Sequence, residues 1–108
     1  MSEIEICTLN GTKWLLGNEA PREMNWQDAK DWCKSVGQQL PPREVLLMAY
    51  LNLETCGGFA DGSYWSSSED GSSYAWFQNF DYGNQNSNNK NNTLPVRAVR
   101  AIKVEVME

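Results

Sequence analysis

SYWSSSEDGSSYAWFQNFDYGNQNSNNKNNTLPVRAVRAI, residues 63–102, decides how the rest of the chain reads. It opens on closely spaced aromatics: Tyr64, Trp65, Tyr74, Trp76, Phe77 and Phe80. Aromatic and β-branched runs punctuated by Gly71 and Gly83 predict strands over roughly 64–69, 74–81, 84–92 and 96–106. Six asparagines then fall within nine residues: Asn84, Asn86, Asn88, Asn89, Asn91 and Asn92. Asparagine is poor in helix and strand interiors, so stability alone gives little reason for such a run. Its amide carries one acceptor and two donors on a short stem, which suits the gripping of polar ligands. The tract therefore reads as a display surface, against the blander reading of a solvated, turn-rich loop. Asp81, Tyr82, Gln85 and Lys90 belong to the same stretch and join the asparagines as candidate ligand-binding residues, with Tyr82 as an aromatic platform.

Downstream, Ile102, Val104 and Val106 alternate with Lys103 and Glu105, just as Ile4 and Ile6 alternate with Glu3 and Glu5 at the start. Each terminal strand is half-buried and needs a neighbour. The expectation is that residues 3–7 pair with residues around 101–106, burying Ile4, Ile6, Ile102 and Val104. Arg97 and Arg100 differ by three, so a strand sends them to opposite faces. Arg100 shares a face with Val96, Ala98 and Ile102, which reads as inward. A buried guanidinium demands a carboxylate, and Glu69 and Glu44 are the candidates. Arg97 is then a surface or ligand-facing residue. Trp65, Trp76, Glu69 and Arg100 form the expected structural set, with burial favoured for Phe77 and for at least one of Trp76 and Phe80.

The N-terminal half supplies the helices. Asn10-Gly11 is a strong hairpin turn, placing Cys7 opposite Trp14 and Ile6 opposite Leu15. Asn25 reads as an N-cap with Asp28 three residues on. Trp26, Ala29, Trp32, Cys33 and Val36 follow at helical spacing, and Gly37 is a natural stop. Pro41-Pro42 opens a second helix, where Val45 to Leu51 is apolar nearly all round and so is expected to be the more buried of the two. Together these elements predict one α+β domain over residues 1–108: two helices packed on an antiparallel sheet of the terminal strands, with a second, smaller strand-and-loop region.

Composition narrows the function classes. The chain has 108 residues, 41% hydrophobic, with five tryptophans and a net charge of −5. That suits one modest core and argues against nucleic acid as a partner, because phosphate binding needs a basic face. No apolar run approaches the ~20 residues that cross a bilayer, and MSEIEIC lacks the layout of a signal peptide. Three cysteines, Cys7, Cys33 and Cys56, fit reduced thiols, although one bridge between two of them stays open. Histidine is absent, which removes the commonest general base and metal ligand. Asp61, Glu69, Asp70 and Asp81 lack a calcium-loop spacing, and no cysteine spacing suits zinc. The expectation is a non-enzymatic protein without metal or cofactor.

Five segments in order and spacing also carry a family resemblance: NWQDAKDWC, LPPREVLL, GSYWSSSE, YAWFQNFDYGNQNSNNKNN and VRAVRAI. Over about residues 25–102 the chain resembles the C-terminal domain family of bacterial collagen-like adhesins. That family shows W-x-x-A…C, R-L-P-T-x-x-E-L, Y-W-S-S-[ST], YAW-x-x-x-F-x-x-G and V-R-x-V-R. The resemblance implies a C-type-lectin-like fold with ligand-binding residues on an upper set of strands and loops. Similar domains serve as adhesin tips and as variable proteins of diversity-generating retroelements in phages and bacteria, whose adenine-directed mutation acts on asparagine-type codons. One departure is Gln39-Leu40-Pro41-Pro42, where proline replaces a hydroxyl cap. The calcium-dependent sugar motifs of animal C-type lectins are also missing, so calcium-mediated sugar binding is not implied.

Two function classes follow as expectations. The first is a phage- or prophage-type recognition module, virion-associated or in the bacterial cytoplasm. It would bind a host surface polysaccharide or protein through residues 81–92, with a phage tail or other virion protein as a further partner. The second is a small acidic intracellular phage protein, inhibiting or assisting an enzyme through Glu23, Asp28, Asp31 and Glu54.

Overall fold

A computed structural model describes residues 3–104. Asn10 and Gly11 both adopt positive φ, 49° and 77°, as a type I′ turn requires. They set β1 (Glu5–Leu9) antiparallel to β2 (Thr12–Glu19), with Cys7 opposite Trp14 as expected. The register slips between Glu5 and Cys7, so Glu5, not Ile6, faces Leu15. Ile6 is nonetheless buried, because the irregularity turns its side chain into the core.

The free edge of β2 takes β6 (Arg97–Lys103), giving the order β1-β2-β6 with Trp14 opposite Ala101 and Leu16 opposite Val99. The terminal strands share a sheet but do not pair, which corrects the expected side-by-side arrangement. Alternation says that a strand needs a neighbour, not which one. The tight turn commits one edge of β2 to β1, and the eight-residue length of β2 leaves its second edge available to β6. Ile4 is 46% exposed and Ile102 and Val104 are each 40% exposed, so of the four residues expected to be buried only Ile6 is. Residues 105 and 106 of the expected pairing lie outside the described residues.

The faces of β6 also differ from expectation. Val96, Ala98 and Val99 are all buried, whereas Arg100 to Lys103 are exposed. The strand leaves the core after Val99, and beyond that point alternation no longer sorts inside from outside. Arg100 is exposed and pairs with Glu3. Neither expected partner is available to it: Glu44 is exposed and Glu69 pairs with Lys90.

Helix α1 (Trp26–Ser35) begins where Asn25 Oδ1 accepts the Asp28 N–H at 2.8 Å. It closes at Gly37, φ 73°, with the Gln38 N–H on the Cys33 carbonyl and the Gly37 N–H on the Lys34 carbonyl. These are the two bonds of a Schellman cap. Helix α2 (Arg43–Leu51) buries Val45, Leu46 and Ala49 but leaves Leu47 and Leu51 exposed. It is the more buried of the two long helices, as expected: three of its nine residues are exposed, against six of ten in α1. A single further turn, α3 (Leu53–Cys56), was not anticipated.

The second antiparallel sheet joins β3 (Ser63–Glu69), β4 (Tyr74–Asn79) and β5 (Gln85–Asn89) in that order. Two apolar clusters hold the layers. One gathers Ile6, Cys7, Val45, Leu46, Ala49, Tyr64, Phe80 and Val99 around α2. The other gathers Trp26, Ala29, Cys33, Trp65, Ala75, Val96 and Ala98 beside α1. Backbone bridges between Met24 and Leu94 and between Gln39 and Val99 stitch the halves together. Trp65 is fully buried, with its indole N–H on the Met24 carbonyl. Phe80 is buried, while Trp76 and Phe77 are only half-buried, so Phe77 falls short of its expected place. All three cysteines are free and buried.

Candidate ligand-recognition site

The turn from β4 into β5 is built by polar side chains folded onto their own backbone. Asn79 Oδ1 accepts the N–H groups of Asp81 (2.7 Å) and Tyr82 (2.9 Å). Gln78, fully buried, donates from Nε2 to the carbonyls of Asn79 and Gly83, each at 3.0 Å. Gly83 has φ 84° and lies flat against the Tyr50 ring, where a Cβ would collide. The loop is thereby fixed at its base. Tyr82, at its tip, is 85% exposed; Asp81 and Asn84 are exposed beside it.

A second network backs this loop. Gln85 Oε1 accepts from Arg43 Nε (2.9 Å), and its Nε2 donates to the Arg43 carbonyl (2.8 Å) and to Gln78 Oε1 (2.9 Å). The Arg43 guanidinium lies 3.7 Å from the Trp76 ring centroid, a cation–π stack. Gln85 is therefore a hub between α2 and the upper sheet, and Trp76 is the floor of that hub. Sequence reading missed Arg43 and Gln78. The available signal was Gln78 itself, a polar side chain on the aromatic face of a strand, which must find partners if buried.

The asparagines divide by what their amides do. Asn86, Asn88 and Asn89 use their side-chain carbonyls locally, on the N–H groups of Ser87, Asn89 and Asn91. Asn88 also accepts from the Asn92 amide at 2.7 Å. Asn84 and Asn91 are exposed. Lys90 is turned inward: its Nζ contacts Glu69 Oε2 at 2.8 Å and the Ser72 carbonyl at 3.0 Å, and lies 4.3 Å from the Trp26 ring centroid. The Lys90 hydrogen bond and charge hold the Glu69 carboxyl below its ordinary range.

Arg97 stands apart from the tract, in the lower sheet. Its Nε donates to the Gly17 carbonyl (3.0 Å), and its Nη1 to the Gly58 carbonyl (3.0 Å) and Glu19 (3.2 Å). Arg97 and Arg100 both line a cleft of about 410 Å³ with Glu3, Ile4 and Gln38, but both carry carboxylate partners. Glu23, Asp28, Asp31 and Glu54 are all exposed, on three separate segments.

Reactive groups are scarce. Burial raises all three thiols, Cys33 to about 12, so none supplies a thiolate near neutrality. Among the described residues no cluster of three His, Cys, Asp or Glu side chains is placed to hold a metal ion, and no helix is long and apolar enough to cross a membrane. What the arrangement offers is hydrogen bonding and aromatic contact from a fixed loop. No protein-family model matches the chain, and no curated protein matches it.

Proposed function

We propose that this chain is a non-enzymatic recognition module that meets its ligand at the β4–β5 loop and the exposed asparagines beyond it. The observation that carries this reading is Tyr82: an aromatic ring 85% exposed on a loop whose base is fixed by Gln78, Asn79 and Gly83. A preorganised aromatic flanked by short amides costs little entropy to bind with, and it suits neutral sugars and protein loops alike. The ligand in this reading is a host surface polysaccharide or protein. The architecture is a C-type-lectin-like variant akin to the C-terminal domain of bacterial collagen-like adhesins, carried by a phage or prophage product. Support for that kinship is the five-segment motif series, together with terminal strands sharing one sheet while the second sheet carries the loop.

The test is a triple variant, Tyr82→Ala, Asn84→Ala and Asn91→Ala, screened with the unaltered chain against arrayed bacterial surface polysaccharides and intact bacterial cells. These side chains are exposed and make no described contact that the fold needs. The variant should bind at least tenfold more weakly than the parent while its thermal midpoint stays within a few degrees. Retained binding would exclude the loop as the contact surface.

A further inference from the structure

β5 is an edge strand, and the pattern of its hydrogen bonds shows which of its backbone groups are left over. The Asn79 N–H meets the Asn84 carbonyl at 2.9 Å, and the Lys90 N–H meets the Ser73 carbonyl at 2.9 Å. With Phe77 opposite Asn86 and Ala75 opposite Asn88, alternation in an antiparallel ladder makes those the bonded pairs as well. The backbone groups of Gln85, Ser87 and Asn89 therefore point away from β4, toward the open side.

An edge of this kind is a template for another strand, and proteins blunt it with lysine, proline or a bulge. Gln85–Asn89 contains none of these: it is uncharged, free of proline and paired to β4 in unbroken register. Asparagine and glutamine also form ladders when identical strands stack. Yet two of the outward donors are already occupied. The Ser87 N–H donates to Asn86 Oδ1 and the Asn89 N–H to Asn88 Oδ1, both at 2.8 Å. In each case the side chain of a residue bonded to β4 bends back to cover the outward N–H of the next residue.

We infer that Asn86 and Asn88 close the free edge of β5 against pairing with the β5 of a second copy of this chain. The second copy is the relevant occupant because an uncharged strand laid antiparallel on its own twin meets the same complementary edge, and the contact closes as a two-fold dimer. The inference concerns the strand edge alone and holds whatever the neighbouring loop binds. It also gives the asparagine run a physical reason independent of display: a short neutral amide places an acceptor beside nearby backbone N–H groups more strongly than a hydroxyl does.

Amide hydrogen exchange of the ¹⁵N-labelled full chain tests the caps one at a time. Asn86→Ala should speed exchange at Ser87 and leave Asn89 alone, and Asn88→Ala the reverse. Each acceleration should be roughly three- to tenfold, the fold-change equivalent to the net worth of one hydrogen bond. Asn86→Asp keeps the acceptor and should keep Ser87 slow. Sedimentation of the Asn86→Ala/Asn88→Ala double variant should then show concentration-dependent association absent from the parent, removed again by adding Ser87→Pro. Unchanged exchange at both amides overturns the caps, and so does faster exchange throughout the chain. Site-specific acceleration with no new association overturns the closing of the edge. The single variants decide the first point even if the double variant does not fold.

Discussion

Arg97 and Arg100 show how far single residues can be read from this chain. Both sit on β6, and spacing alone assigned Arg100 to the interior and Arg97 to the surface. The structure reverses them, because a side chain's role follows from what its long stem can reach, not from the nominal face of its Cα. Arg97 is the clamp: it ties β6 to Gly17 and Glu19 on β2 and to the loop carbonyl of Gly58, with its side chain only 20% exposed. Arg100 makes one ion pair with a side chain 44% exposed, the kind worth little in water. Arg97→Ala should therefore cost about 2–3 kcal/mol, since hydrogen bonds from a charged donor are lost and two carbonyls lose their partner. Arg100→Ala should cost about 0.5 kcal/mol or less. Denaturant unfolding of the two variants checks this, and equal midpoints would show that the clamp is ornamental. Other residues were legible because their signals are local: Asn25 caps α1, Gly37 ends it, and Trp65 is core, each dictated by its own backbone or bulk.

Among the elements, those specified by neighbouring residues were readable and those specified by distant ones were not. The Asn10-Gly11 hairpin and α1 needed nothing beyond their own sequences. The place of β2 between β1 and β6 depends on which edges remain free after folding begins, and no periodicity records that. Helix α2 is a further case. Val45 to Leu51 reads as apolar all round; Val45, Leu46 and Ala49 are buried, Met48 and Tyr50 pack half-covered beside them, and Leu47 and Leu51 are left exposed. Leu46 is fully buried and Leu51 is 64% exposed. Leu46→Ala should thus cost ~2–5 kcal/mol, the transfer and cavity terms of a well-packed leucine, whereas Leu51→Ala should stay within ~0.5 kcal/mol. Thermal unfolding at neutral pH separates them, and a large loss for Leu51→Ala would mean that its side is covered after all. The asparagine tract was legible as a place where something other than burial is at work. Its division into caps, anchors and free amides was not, because it turns on single rotamers within β5.

At the scale of the molecule, the layers are fastened by a few cross-connections, and Lys90 is a prominent one, tying the second sheet to α1. Its carbonyl accepts the Trp26 N–H at 3.1 Å, its own N–H donates to Ser73, and its ammonium reaches Glu69 at the end of β3. It so joins the end of β5 to α1 and to the rest of its own sheet. The Glu69 carboxyl titrates below its ordinary range because Lys90 hydrogen-bonds to it and lends it positive charge, with Lys30 adding a little more. A group whose folded value is depressed stabilises the fold above its unfolded value and loses that contribution as pH falls through the folded one. The Glu69 contribution should therefore be complete above about pH 4.5, the ordinary carboxyl value, and fade as pH falls from there through the lowered folded value. Glu69 is exposed to solvent, so the effect is small and screened by salt. Comparing the parent with Glu69→Gln isolates it: their thermal midpoints should differ at pH 7 in low salt and converge in acid. The protection of the Lys90 amide, relative to its intrinsic exchange rate at each pH, should fall over the same acid range in the parent only. Midpoints that differ equally at every pH would assign the variant's effect to packing, and the ion pair would then not be what fastens this corner of the fold.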